Sequence, residues 1–192
     1  MIDSGWFVAI TGFAQATPWL HGPVVAFTEY GVVLLALAAL VILWHLRREG
    51  SETLARALWV PAAVVVAYAV DSGIKQLVAE PRPCQAIPSA ATVLPCDAPG
   101  DYSFPSNHTV IFAAFTAAVF LLNRRWGVLA AVVTLLMAAT RLYVGAHYVH
   151  DVLAGLAVGV LVGSAGSLLV KPVAGLLDRI RERPQWTQAA RK

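Results

Sequence analysis

The stretch YSFPSNHTVIFAAFTAAVFLL, residues 102–122, decides how the chain is interpreted. Its apolar part, residues 109–122, is short for a membrane span, which needs about 20 helical residues. The segment reaches spanning length only if Ser106, Asn107 and His108 form its first turn. Polar groups in such a place cost free energy unless they have partners. The motif PSNH is therefore either a helix start that contains a histidine or one half of an active site.

The composition of the whole chain indicates a membrane protein. Of its 192 residues, 58% are hydrophobic and 13% are charged, whereas soluble domains carry about 25% charged residues. The mean hydropathy is +0.68. The net charge of +3 is basic, but the basic residues do not cluster with interleaved aromatic residues, so we expect no nucleic-acid partner. The predicted partner is the lipid bilayer.

Five apolar runs are long enough, or nearly so, to span a bilayer. They lie at 24–45, 57–79, 107–123, 126–145 and 149–170. Residues 5–20 are amphipathic and too few to span, and Pro18 and Pro23 interrupt this region, so we predict an interfacial segment at 1–23. A sixth span is the alternative. The expected fold is all-α, a polytopic transmembrane helical bundle forming a single domain over residues 1–192.

The positions of Lys and Arg predict the orientation of the bundle. Eleven of the fourteen lie on one side, which should be the cytoplasm, and the last of them form a basic tail at 171–192. The other three, Lys75, Arg82 and Arg141, lie at or near the opposite side, with the long loop 80–106. Lys and Arg are disfavoured on that side, so the presence of these three residues requires another explanation.

Both cysteines, Cys84 and Cys96, lie in this predicted extracytoplasmic loop. Such a location permits a disulfide. The spacing is compatible with one bridge or with two free thiols, and the sequence does not set the geometry that would decide.

Three short motifs on the outer side have side chains suited to phosphate chemistry. In RLYVGAHYVHD, His147 and Asp151 are four residues apart and would share a face of a helix. The carboxylate could accept the Nδ1 proton and leave Nε2 as a nucleophile or base. Arg141 precedes them, and its planar guanidinium suits phosphate oxygens.

The motif PSNH adds a helix start. Pro105 and Ser106 suit the first positions of a helix. The N–H groups there would form an anion site. His108, in the first turn, could donate a proton to a leaving oxygen.

The motif KQLVAEPRP contributes Lys75 and Arg82. Together with Arg141 they make three cations that would repel one another without an anion, and a phosphoryl group is the obvious one. Two simpler interpretations stay open: each cation anchors the chain at the interface, or Asp71 and Lys75, four residues apart, form an ion pair.

Taken together, these motifs resemble the type 2 phosphatidic acid phosphatase superfamily of integral membrane phosphatases. The family pattern is K-x6-R-P, then P-S-G-H, then S-R-x5-H-x3-D. Residues 75–83 match the first part in full, whereas Asn107 replaces glycine in the second and Thr140 replaces serine in the third. With a non-glycine residue in the second motif, the chain is similar to the bacterial undecaprenyl pyrophosphate phosphatase branch of the family.

The resemblance implies a role for each motif residue. His147 would attack phosphorus and form a phosphohistidine, Asp151 would orient it, and His108 would protonate the leaving oxygen. The implied ligands of the phosphoryl oxygens are Lys75, Arg82, Ser106, Asn107 and Arg141. No metal or other cofactor is implied. His150 falls outside the motif and is expected to be an interfacial residue.

We expect an amphiphilic lipid phosphate as substrate, with its phosphate at the outer membrane boundary. A polyprenyl diphosphate, hydrolysed to the monophosphate on the outer face of the bacterial cytoplasmic membrane, fits the resemblance best. A phosphatidate or phosphatidylglycerol-phosphate phosphatase is the alternative enzyme, and an anion-binding membrane transporter is the alternative of another class. The sequence leaves the oligomeric state open.

Overall fold

The computed structural model describes residues 4–87 and 91–189, with side chains as far as residue 182, and in these residues it contains helices and no strands. The helices are α1 Ser4–Ala16, α2 His21–Leu46, α3 Ser51–Val78, α4 Pro83–Ala86, α5 Asn107–Leu122, α6 Arg124–Tyr143, α7 Val149–Ser164 and α8 Gly166–Ala189. A 3₁₀ turn, Pro18–Leu20, joins α1 to α2. The predicted all-α bundle is confirmed.

Four helical stretches in the described residues are long and apolar enough to cross a membrane. They are Pro18–Leu46, Ser51–Ala86, Arg124–Tyr143 and Val149–Glu182. Helix α5 has 16 residues, a length of about 24 Å, and begins at Asn107, so the PSNH motif does supply its first turn. Most of its side chains are buried against α3, α6 and α7. Helix α5 is therefore the centre of the bundle.

The helices α2 and α3 begin at His21 and Ser51, several residues before the predicted apolar runs. Polar residues can occupy the first turn of a helix near the membrane surface, where hydropathy alone does not mark the start. The basic tail predicted from residue 171 is helical as far as the structure describes it. After a break at Ala165, α8 continues the chain as a helix into the basic region.

Glycines on α7 allow its close approach to α5. A Cβ at Gly159 would lie 2.3 Å from the carbonyl oxygen of Val110, and one at Gly163 would lie 2.4 Å from that of Ala114. Any side chain at either position would force the two helices apart. This contact brings the first turn of α5 beside the first turn of α7, where two of the predicted motifs lie.

The N-terminal helix α1 packs on the end of the bundle that carries the motifs. The Phe7 ring lies 5.9 Å from that of Tyr148, and the Thr17 hydroxyl lies 2.8 Å from the hydroxyl of Tyr143. With 13 residues, α1 is about 20 Å long, which is short of a bilayer core of about 30 Å.

The α3–α5 connection folds over the same end. A disulfide joins Cys84 to Cys96, with 5.8 Å between their Cα atoms. The N–H of Val93 donates to the carbonyl of Val144 at 3.1 Å. The connection is thus fastened to the segment between α6 and α7, which contains His147.

Basic residues gather at the other end of the bundle. Arg181 on α8 donates to the carbonyl of Glu49, in the α2–α3 turn, at 3.2 Å, and Arg56 on α3 donates to the carbonyl of Leu121, near the end of α5, at 3.1 Å. These contacts place the basic α2–α3 and α5–α6 connections and the basic part of α8 together, as the charge pattern predicts.

Candidate active site

The predicted partners His147 and Asp151 are in contact, with His147 Nδ1 3.3 Å from Asp151 Oδ2. They do not share a helical face, because His147 lies in the connection before α7, which begins at Val149. Asp151 is the third residue of α7, and its Oδ2 accepts the backbone N–H of Tyr148 at 2.8 Å. The predicted contact between His147 and Asp151 is present, but a shared helical face is not its cause. The carboxylate of Asp151 caps the start of α7, and this capping directs it toward the imidazole.

Ser103 is a partner of this pair that the sequence analysis missed. Its hydroxyl donates to Asp151 Oδ2 and lies 3.5 Å from His147 Nδ1. Ser103 and Asp151 are fully buried, and His147 is 2% exposed. The side chains of Ser103 and Asp151 thus both contact the imidazole of His147 at Nδ1.

The environment keeps His147 neutral. Burial lowers the pKa of His147 from 6.5 to about 3; the hydrogen bond with Asp151 raises the pKa, and the charges of Arg141 and Arg82 lower it again. A neutral imidazole with its Nδ1 proton directed at the carboxylate carries a free lone pair on Nε2. His147 therefore has the protonation state of a nucleophile at neutral pH.

A cavity of about 290 Å³ opens beside this pair. His108, Arg82 and Arg141 line it. Ala146 forms part of the wall, so His147, the next residue, is adjacent to the cavity. The structure thus brings three of the predicted residues to one cavity. The other predicted residues do not line it: Lys75, Ser106, Asn107, His147 and Asp151.

Arg82 has protein partners on every side. Its Nε lies 3.0 Å from Asp97 Oδ2 and donates to the carbonyl of Asp101 at 3.1 Å. One terminal nitrogen donates to Asp101 Oδ1 at 3.0 Å and the other to the carbonyl of Ala146 at 3.1 Å. Two carboxylates from the α3–α5 connection therefore offset, at Arg82, the repulsion that is expected among the three cations.

Lys75 also bonds to that connection. Its Nζ donates to the carbonyl of Tyr102 at 2.7 Å and to that of Ser103 at 3.3 Å. The alternative ion pair with Asp71 is not formed in the described residues: both carboxylate oxygens of Asp71 are buried and lack a hydrogen-bond partner there. Lys75 thus positions the segment that carries Ser103.

Arg141 is different from the other two cations. It is 5% exposed, and its Nε is buried without a hydrogen-bond partner in the described part of the chain. A buried donor left without a partner costs about 1–3 kcal/mol, and a charged one costs more. Because Arg141 lines the cavity, an anion bound there would relieve this cost.

The start of α5 is fixed against α7. Ser106 occupies the N-cap position, but its side chain makes no capping bond; its hydroxyl accepts from Thr109 Oγ1 at 3.1 Å instead. Its backbone N–H donates to the carbonyl of Asp151 at 3.1 Å. The Oδ1 atom of Asn107 is buried without a hydrogen-bond partner in the described residues. Phosphate binding by Ser106 and Asn107 stays a prediction.

His150 has closer contacts with the site than the sequence suggested. Its Nε2 lies 3.1 Å from Glu80 Oε2 and 3.2 Å from Asp151 Oδ1, and its ring stacks on Tyr148 at 5.3 Å. Ligand atoms of Glu80, His150 and Asp151 lie within 4.8 Å of one another, close enough to hold a metal ion. A histidine thus lies near each carboxylate oxygen of Asp151, but Oδ1 accepts no hydrogen bond within the described residues.

Comparison with known proteins places these motifs in a family. The family model described as the PAP2 superfamily matches residues 56–172, which include all three motifs. The undecaprenyl-diphosphatase BcrC of Bacillus subtilis (strain 168) is 33% identical over 179 residues, covering 92% of this chain and 90% of that protein. The decaprenylphosphoryl-5-phosphoribose phosphatase of Mycobacterium tuberculosis is 35% identical over 154 residues, covering 80% of this chain and 77% of that protein.

A solved structure shares the fold. The crystal structure of a transmembrane PAP2 type phosphatidylglycerolphosphate phosphatase from Bacillus subtilis superposes with a TM-score of 0.62 at 20% identity, covering 92% of this chain and 86% of that one. The match to the family model, the identity to full-length relatives and the shared helical architecture agree. The chain belongs to the PAP2 superfamily and is a phosphoric-ester hydrolase.

Proposed function

We propose that the protein hydrolyses a polyprenyl diphosphate to the monophosphate and thereby recycles the lipid carrier used in cell-wall assembly. The observation that carries this proposal is the buried His147–Asp151 pair beside a cavity lined by His108 and Arg141, at one end of an apolar bundle. The names of two relatives, an undecaprenyl-diphosphatase and a decaprenylphosphoryl-5-phosphoribose phosphatase, support a polyprenyl phosphate as the substrate class.

The first step is a transfer to histidine. The lone pair of His147 Nε2 attacks the terminal phosphorus, and the bond from phosphorus to the bridging oxygen breaks. His108, which is protonated when the phosphate anion is bound beside it, gives its proton to the departing oxygen of the polyprenyl monophosphate. Asp151 accepts the Nδ1 proton of His147 in a hydrogen bond and stabilises the positive charge that develops on the ring.

The second step releases phosphate. Water attacks the phosphohistidine, the N–P bond breaks, and His108, now neutral, takes a proton from the water. Inorganic phosphate leaves and His147 returns to its neutral form. Arg141, whose Nε has no hydrogen-bond partner in the described residues, stabilises the negative charge on the equatorial oxygens, with Lys75, Arg82, Ser106 and Asn107 as the further expected ligands, and no step uses a metal.

The site faces outward in this proposal. The basic connections of the bundle lie at the end remote from the cavity, and cytoplasmic loops carry an excess of Lys and Arg. The cavity then opens at the extracytoplasmic surface of the bacterial cytoplasmic membrane. A disulfide in the α3–α5 connection fits an oxidising compartment.

Phosphate release from a panel of purified lipid phosphates tests the substrate. The panel contains undecaprenyl diphosphate, decaprenylphosphoryl-5-phosphoribose, phosphatidate and phosphatidylglycerol phosphate. We expect the highest kcat/KM with undecaprenyl diphosphate, inhibition by vanadate and no loss of activity in EDTA. His147→Ala serves as the inactive variant, and His21→Gln, which replaces a histidine that contacts the carbonyl of Ala14, serves as the active control.

The panel also separates the alternatives. Release from phosphatidate or phosphatidylglycerol phosphate but not from undecaprenyl diphosphate would show a phospholipid phosphatase. Preference for the phosphoribose lipid would support a polyprenyl substrate whose head group is a phosphoribose and not a diphosphate. Phosphate transport without hydrolysis would contradict the proposal altogether.

A further inference from the structure

A long apolar groove lies between α2, α5 and α6, outside the candidate active site. Its volume is about 780 Å³. Leu34 and Val41 on its α2 wall are 60% and 62% exposed, so the groove opens to the surface of the bundle. Phe112 on α5 and Val133 on α6 are among the residues that close it on the inside.

The groove begins beside the active-site cavity. On α2, Phe27 lines the groove while Thr28 lines the cavity. On α5, His108 lines the cavity and Phe112, one helical turn later, lines the groove. The two spaces are therefore neighbours along both helices. A molecule with its phosphate in the cavity would reach the groove within one helical turn, about 5 Å.

The groove extends across the bundle. Its α2 wall runs from Phe27 to Leu46, about 28 Å of helix, which matches a hydrocarbon core of about 30 Å. Polar lining groups, including His45 and Asn123, lie at the end remote from the cavity. The rest of the lining is almost entirely aliphatic or aromatic, as a hydrocarbon ligand requires.

The size of the groove argues for a single chain. A transmembrane helix of a second copy, about 10 Å across and of the same length, would occupy on the order of 2,000 Å³, far more than the groove provides. A phospholipid would bring two acyl chains to one groove. A polyprenyl diphosphate has one hydrocarbon chain, attached directly to the phosphate that the cavity would hold.

We propose that this groove binds the polyprenyl chain of the substrate and makes the enzyme select for chain length. The inference rests on the proposed function and adds to it a second binding region. The phosphate is bound at the cavity, and the chain runs down the outside of α5 between α2 and α6.

Variants that fill the groove test the inference. Ala38 on α2 is exposed and lines the groove, whereas Ala36, two residues earlier and also exposed, does not. We measure kcat/KM for undecaprenyl diphosphate and for farnesyl diphosphate, whose chain is short, and take their ratio. The ratio should exceed one in the wild type. Ala38→Phe should lower it about tenfold or more, and Ala36→Phe should leave it unchanged.

A second groove variant distinguishes the effect of filling the groove from misfolding of Ala38→Phe. Ala130 lines the groove from α6, and Ala130→Phe should lower the ratio in the same way. An unchanged ratio in both groove variants, or a changed oligomeric mass in Ala38→Phe but not in Ala36→Phe, would overturn the inference while phosphate release still supported the proposed function. No release from either diphosphate by the wild type would overturn the proposed function and the groove assignment with it.

Discussion

The backbone N–H of Ser106 donates a hydrogen bond to the carbonyl oxygen of Asp151 at 3.1 Å. This bond joins the first turn of α5, which carries the expected acid His108, to the first turn of α7, which follows the expected nucleophile His147. The two halves of the site are therefore held together by helix packing, and the spacing between α5 and α7 should control activity.

We predict that Gly159→Ala destabilises the protein and lowers its activity. The added Cβ would lie 2.3 Å from the carbonyl of Val110, and relief of such overpacking costs about 1–3 kcal/mol. The melting temperature should fall. Gly73→Ala on α3 is the matched control, since a Cβ there meets nothing within 4 Å and alanine favours a helix. Equal melting temperatures for the two variants would contradict the close α5–α7 contact.

We predict that His108→Ala is most harmful when the leaving group is poor. An alkoxide needs a proton as it departs, whereas p-nitrophenolate leaves with little assistance. The loss in kcat/KM should reach about 10²- to 10⁴-fold for hexyl phosphate and should be clearly smaller for p-nitrophenyl phosphate. Equal losses for both substrates would mean that His108 binds the phosphate and does not act as the acid.

We predict that His147 makes the protein less stable in acid. Its pKa is about 3 in the fold and 6.5 in the unfolded chain, so between these values the unfolded chain binds more protons. The free energy of unfolding is therefore not reduced by this group above pH 6.5, and it decreases as the pH falls from 6.5 toward 3. The drop in melting temperature from pH 7 to pH 4.5 should be larger for the wild type than for His147→Gln. Equal drops would indicate an ordinary, solvated imidazole.

We predict that His150 positions Asp151. His150→Phe keeps an aromatic ring beside Phe104 and Tyr148 but removes the nitrogen near Asp151 Oδ1. Removal of the ring nitrogen that lies 3.2 Å from Oδ1 leaves the carboxylate less firmly oriented, so kcat should fall by up to about tenfold, which corresponds to about 1.4 kcal/mol, with KM nearly unchanged. A higher KM at constant kcat would instead place His150 in contact with substrate. The melting temperature checks that the variant is folded.

The sequence predicted the helical bundle and indicated the candidate site residues because both have local patterns. Apolar runs mark the spans, and fixed spacings mark the positions of Lys75, Arg82, His147 and Asp151. The pairing of His147 with Asp151 was expected for the wrong reason, because hydropathy does not show that α7 starts between them. The capping of α7 depends on a loop conformation that spacing does not encode.

Other parts of the site could not be predicted in this way. Ser103, Asp97 and Asp101 lie in an irregular connection without periodicity, and they reach Asp151 and Arg82 only through its path over the bundle. The acidic residues of that loop were the available sequence signal for the contacts with Arg82, because a buried arginine needs a partner. The groove between α2 and α6 arises from helix packing, and an apolar face that lines a groove has the same sequence pattern as one that contacts lipid.

Trapping of the phosphorylated protein shows directly whether His147 is the nucleophile. Undecaprenyl diphosphate labelled with ³²P at the terminal phosphate is mixed with the enzyme and quenched within milliseconds, and the labelled peptide is identified by mass spectrometry. We predict label on His147 that is stable in base and labile in acid, and no label on His147→Ala. Rapid phosphate release with no labelled protein, or label on another residue, would contradict it.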